Sequence, residues 1–355
     1  MSLFQSLLDL LSRLFTSGAP APRTPRNDAL ETITPRVLAI NFDPVVDAQG
    51  TRLTKKMGWK RVDDLIAGFI ADMEEVSHGL VKYRYDPANR IDVDTFPHKT
   101  DGFQYTSTAY LNMMQDEKTH HEPDGVDYWR IVRDYGLIEK VTANEIDEVW
   151  LFGGPYFGFW ESHMVGKGAI WCNSSPLANS ESCARRFVIM GFNYQRGVGE
   201  MLHDIGHRME SIVAHVYNAS NALHNAYRAV DPRIQPPIGP EHFANPKNDF
   251  ERFMLFEKIA PGSAGVGLVH MPPNADKDYD WRNTNPALST CDCWLNYPDL
   301  QGTPRSITCD EWGQQAGGDG HIKWWLKRIP HAPGSKNGIL NNWWRYTMQV
   351  DQPFR

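Results

Sequence analysis

Residues 200–211, EMLHDIGHRMES, crowd Glu200, His203, Asp204, His207 and Glu210 into one short stretch. Helical geometry offsets successive side chains by about 100 degrees, which sends these five to one flank and Met201, Ile205, Met209, Ile212 and Val216 to the other. His203 and His207 are one turn apart, so their rings share a face and can share an ion. Glu200 stands three residues before the first histidine and Glu210 three after the second. Carboxylates so placed can ligate the ion, fix an imidazole tautomer, or take a proton from water. Glu200, Asp204 and Glu210 are therefore the candidate catalytic carboxylates, with Glu200 favoured over Asp204 by its longer reach. The competing reading is a solvated helix face, which gathers charge without an ion and which Arg208 also suits. Imidazole nitrogen favours zinc over calcium or magnesium.

The segment HDIGH resembles the H-E-x-x-H helix of zincin-type zinc metallopeptidases. The resemblance implies His203 and His207 as zinc ligands and Asp204 as the base acting on water. Aspartate is one methylene shorter than that family's glutamate, and Val213 stands where its longer pattern has a third histidine. LHDIGH is also similar to the His-Asp pair of HD-type metal-dependent phosphohydrolases. Those domains are helical throughout, whereas RRFVIMGFNY, just before this segment, reads as a strand.

A catalytic zinc needs a third protein ligand and an open position. Glu161 and His163 in FGFWESHM rank first, because they follow a strand expected to end near a cleft; Glu251, Glu257, His270 and His331 are the other candidates. Substrate contacts are expected from Tyr156 and Trp160 in PYFGFWES, Trp324 in IKWWLKR, Trp343 in NNWWRY, and His331. Flat rings beside polar groups suit stacking on a sugar or gripping an extended peptide, and equally suit covering an irregular core. Asp276, Asp278 and Asp280 alternate in DKDYDW but lack the glycine and terminal glutamate of an EF-hand loop. Glu161 and Glu200 also offer a metal-free acid and base pair for glycoside cleavage, subject to their separation.

The elements that must position these groups are legible in outline. RVLAINFDPVV reads as a strand ending at Asp43, WKRVDDLIAGFIADMEEVS as a helix, and LVKYRYDP and NRIDVDTF as strands. DYWRIVRDYGLIEK reads as a helix, DEVWLFGGP as a strand broken by its glycines, and RRFVIMGFNY as a strand feeding the histidine helix over about 197–217. DFERFMLFEKIA is a short helix with Asp249 near its start. Alternating strands and helices predict an α/β or α+β fold: a partly parallel mixed sheet with helical cover and long, irregular, aromatic-rich loops. Such sheets collect chemistry where strands run out into loops, which favours Asp43 and the 153–161 loop.

Residues 1–18 form an amphipathic helical pattern and 19–32 a proline-rich linker; 33–355 read as one compound domain, with an internal boundary near 230 left open. An apolar-faced helix on a tether suits packing on this body, self-association or a protein partner through residues 1–16, or a membrane surface, where Arg13 alone gives little electrostatic help. A net charge of −7 makes nucleic acid a poor partner. No apolar run is long enough for a membrane span, and the start lacks the pattern of a secretory signal, so a cytoplasmic location is the default with secretion left open. Of five cysteines, Cys172 and Cys183 bracket a short loop and suit a disulfide.

The reading that follows is a metal-dependent hydrolase, with zinc as cofactor, acting on a peptide or amide bond. Its competitors are a carbohydrate-binding or carbohydrate-cleaving protein and a non-enzymatic assembly module with a structural histidine helix.

Overall fold

Strand residues of alternating direction must find apolar cover on both sides when every position is buried, and the central strands here are buried almost throughout. In the computed structural model, which describes residues 30–354, β1 (Arg36–Phe42), β2 (Arg84–Tyr85), β3 (Ile91–Val93), β4 (Glu148–Gly153), β5 (Ser162–Val165) and β6 (Phe187–Asn193) form one sheet. Its order is β2-β1-β4-β6-β5, with β3 also paired to β1. All pairings are parallel except the antiparallel edge pair of β5 and β6.

The pleat sorts side chains between two cores. Val37, Ala39, Trp150, Phe152, Val188, Met190 and Phe192 face one core, shared with the helix Val62–Val76 and the histidine helix Val198–Val216. Leu38, Ile40, Phe42, Val149, Leu151, Phe187 and Ile189 face the other, covered by the helices Ser107–Met113, Tyr128–Asp134 and Leu137–Thr142. This is the mixed α/β architecture that the order of elements implies.

Several details differ from the sequence reading. DYWRIVRDYGLIEK is two helices, because Gly136 adopts φ 59 between them and ends the first. The short strand β5 and the helix Ser220–Val230 are elements that the sequence reading does not include. Asp43 caps the helix Leu53–Met57: its carboxylate accepts the amide of Thr54 at 2.9 Å and its hydroxyl at 2.7 Å. Asp249 lies in the first turn of the helix Asp249–Phe253, as the sequence reading has it, and Asn248 caps that helix by accepting the amide of Glu251. Cys172 and Cys183 are not bridged; all five cysteines are buried free thiols.

The late segment is more ordered than its composition implies. It holds the helix Gly317–Leu326, a hairpin of His331–Lys336 with Ile339–Asn342, and the helix Trp343–Met348. Trp325, Trp343 and Trp344 are buried in the first core, which draws on residues from Ile33 to Phe354. The amphipathic pattern over 1–18 and most of the 19–32 linker lie outside the described residues. No helix among the described residues is long and apolar enough to cross a membrane.

Candidate metal centre

The histidine helix begins directly after the turn that leaves β6, so its first turns lie at the carboxyl end of the parallel strands. It is buried along most of its length, with His215 near its end exposed. His203 and His207 are 9 % exposed and Arg208 only 1 %, which removes the solvated-face reading. Arg208 points to the sheet and donates to Glu148 of β4 at 2.6 Å, while the histidines point away from it.

A third histidine meets them. The Nε2 atom of His207 lies 3.0 Å from Nε2 of His203 and 3.0 Å from Nε2 of His270, and the last two are 3.3 Å apart. These three form the one group of three or more candidate ligands among the described residues able to hold a metal ion. Nitrogens held at about 2.0–2.1 Å from a tetrahedral zinc stand roughly 3.3 Å from one another, so the spacing fits with little adjustment.

The outer nitrogens set which atom carries the proton. Nδ1 of His207 lies 3.1 Å from Glu210 and Nδ1 of His270 lies 2.9 Å from Asp278. An ionised carboxylate only accepts, so each Nδ1 donates, and in the neutral ring the lone pair then sits on Nε2. Two such lone pairs facing each other at 3.0 Å repel unless a cation lies between them. The donor set therefore fits a metal ion, and the carboxylates behind it are the orienting groups that metal-bound imidazoles characteristically have. Burial, followed by repulsion from His207 and His270, pushes His203 down to about 2, leaving it neutral. For His207, burial opposes the charge but the hydrogen bond and charge of Glu210 outweigh it, and its value is raised.

Glu210 ties both halves of the cluster together. One of its oxygens accepts from His207 and from the Tyr227 hydroxyl at 2.7 Å; the other accepts the backbone amide of Val269 at 2.7 Å, next to His270. The loop carrying His270 is also held by the Trp281 indole on the Val269 carbonyl and the Trp325 indole on the Gly267 carbonyl. Gly206 permits the close approach: a Cβ there would stand 2.6 Å from a Val269 methyl and 2.9 Å from Ile322. Replacing Glu210 with glutamine should weaken binding of an added divalent transition-metal ion about 10–100-fold, the usual cost of losing an orienting group, measured by chelator competition at neutral pH.

The cluster opens on a cavity of about 480 Å³ whose walls include Trp160, Glu161, Trp171, Tyr227 and Tyr279 beside His207 and His270. Glu161 is fixed by a hydrogen bond from the Asn173 amide and stands outside the three-nitrogen cluster. So does His163, whose Nδ1 lies 2.7 Å from the Ser174 hydroxyl and whose ring packs on Tyr128 and Trp160. Glu200 is half-buried, 3.6 Å from Arg196, and burial followed by the charges of Glu161 and Asp319 raises its value. Asp204 is 3 % exposed with one oxygen unpartnered; burial, then the charges of Glu161 and Glu200, hold it well above the usual carboxylate range.

Trp160 is the one aromatic substrate candidate on this wall. Tyr156 stacks on His120 and donates to Glu117. Trp324 packs under Arg328, Trp343 is enclosed by Phe253, Trp294 and Tyr297, and His331 stacks on His78 at 4.1 Å. Trp171, Tyr227, Asp278 and Tyr279 belong to the site without having been singled out for it. Only DKDYDW carried a signal, and its middle aspartate orients His270. No protein-family model, curated protein or solved structure matches this chain.

Proposed function

We propose that this chain is a zinc-dependent hydrolase in which His203, His207 and His270 hold the metal and Glu161 moves the proton. The observation that carries the reading is the convergence of three Nε2 atoms beside a cavity, with the distal nitrogens of His207 and His270 tied to Glu210 and Asp278. Three imidazoles leave one position of a tetrahedral ion open, the ligand count of a catalytic site and not of a closed structural one. Bound zinc supplies a Lewis acid that polarises a carbonyl and acidifies water.

The protein's own groups do the rest. His203, His207 and His270 supply the three nitrogens, Glu210 and Asp278 orient two of the rings, and Tyr227 braces Glu210. Glu161 shares the cavity wall with His207 and His270, which favours it as general base over Glu200 and Asp204, the carboxylates proposed from the sequence. Glu210 has both oxygens committed and serves as a positioning residue.

Two measurements test the proposal. Elemental analysis of purified protein should find about one equivalent of zinc, and hydrolysis of a panel of amide and ester substrates should be abolished by chelation and restored by zinc. Glu161→Gln should lower kcat about a hundredfold, the lower end of general acid–base contributions, with zinc content unchanged. Absence of any transition metal after equilibration with zinc salts removes the proposal; a metal-replete protein without chelator-sensitive hydrolysis removes its enzymatic part.

A further inference from the structure

The chain holds twelve tryptophans, and among them only Trp160 and Trp171 are exposed, at 56 % and 59 %. Tyr279, at 52 %, is the remaining exposed large aromatic among the described residues. All three line the cavity that His207 and His270 enter. A protein whose other large aromatics among the described residues are all at least partly buried does not leave three in water around one opening without a contact for them to make.

The rest of the lining narrows that contact. Asn173, Ser211 and Ser220 contribute neutral hydrogen-bonding groups, His215 and His224 two further imidazoles, Glu161 and Glu210 carboxylates, and no lysine or arginine lines the described cavity. Phosphate and carboxylate ligands call for cationic forks, so an anionic substrate does not suit it. A peptide laid on as an added strand needs a free sheet edge. The outer edge of β5 is already engaged: Leu177 donates to Met164, the Ser174 hydroxyl to the Ser162 carbonyl, and Gly166 to Ser180. Flat apolar platforms beside neutral donors and acceptors match a ring with apolar C–H faces and a hydroxylated edge.

We infer that the substrate is an uncharged, acylated carbohydrate stacked on Trp160 and Trp171, an inference that rests on the hydrolytic reading for its acyl part. Glycoside cleavage needs two carboxylates flanking the bond; Glu200, the partner of Glu161 in the pair read from the sequence, does not line the cavity, and Glu210 is committed to His207, Tyr227 and Val269. Acyl removal needs only one. The water oxygen bonds to the acyl carbon, the bond from that carbon to the sugar's nitrogen or oxygen breaks, and the proton taken up by Glu161 passes to the leaving atom. The products are a carboxylic acid and a free amino or hydroxyl group on the sugar.

The test uses the full chain, zinc-loaded, and its His270→Ala variant, with a tetramer of N-acetylglucosamine, tetra-alanine and tetragalacturonate as probes. Binding is read by tryptophan fluorescence and calorimetry, and turnover by acetate release. The acetylated tetramer should bind both proteins and release acetate only from the zinc-loaded wild type. Trp160→Ala and Trp171→Ala should each weaken binding about tenfold without changing zinc content. Binding to both proteins without acetate release overturns the hydrolytic reading alone and leaves the carbohydrate assignment standing. Failure of the tetramer to bind either protein, binding indifferent to both tryptophan variants, or tryptophan-dependent binding of tetra-alanine or tetragalacturonate instead, overturns the carbohydrate assignment.

Discussion

Replacing His270 with alanine should empty the metal site while leaving the chain folded. Its loop is anchored by backbone groups: Glu210 holds the Val269 amide, Trp281 the Val269 carbonyl and Trp325 the Gly267 carbonyl. None of these contacts involves the imidazole, so the loop stays when the ring goes. His203 and His207 then remain as a pair, one ligand short of what a catalytic zinc requires. Zinc affinity should fall by more than the roughly 10–100-fold of an outer-shell change, and zinc content after dialysis should drop from about one equivalent to a small fraction. A ligand that binds only the folded state at a hundred times its Kd adds about 2.7 kcal/mol, so chelation should lower the Tm of the wild type and leave that of the variant unchanged. A variant that keeps one equivalent of zinc at wild-type affinity would remove His270 from the ligand set.

Arg208→Met should destabilise the fold by about 3–5 kcal/mol, the cost of leaving one partner of a buried ion pair uncompensated. Both side chains of the Arg208 and Glu148 pair are 1 % exposed. Glu148 keeps only the Trp150 indole, which donates to its other oxygen at 2.7 Å. Methionine fills much of the volume of arginine, so the loss reports the stranded carboxylate more than a cavity. The double change Arg208→Met with Glu148→Gln should recover part of the loss, because glutamine carries no charge and still accepts from Trp150. Urea unfolding at neutral pH measures all three. Zinc per folded molecule should stay constant, since Arg208 leaves the helix on the flank opposite the histidines. A loss below 1 kcal/mol would contradict the energetic role of the pair.

The two predictions concern opposite flanks of one helix, and those flanks were not equally legible. His203 and His207 stand one turn apart, so a local rule sufficed to pair them. Arg208 fitted a wet surface equally well in sequence, and only the opposing Glu148, 60 residues away, made it an interior charge. His270 was one of several candidate third ligands with nothing local to raise it above Glu161 or His163. Its selection came from Gly206, from the Glu210 bond to Val269, and from a loop 63 residues beyond His207. The tryptophans divided the same way: WW pairs suited a binding surface or a core, and burial put Trp324 and Trp343 in the core while leaving Trp160 and Trp171 outside.

By itself the sequence determined what local periodicity can encode: the long strands, the histidine helix, the shared face of His203 and His207, and the mixed α/β class. Tertiary structure alone decided the third imidazole, the carboxylates that fix two tautomers, and which aromatics line the cavity. These depend on contacts between segments distant in the chain, and a single residue's type carries no record of the partner that folding will bring to it.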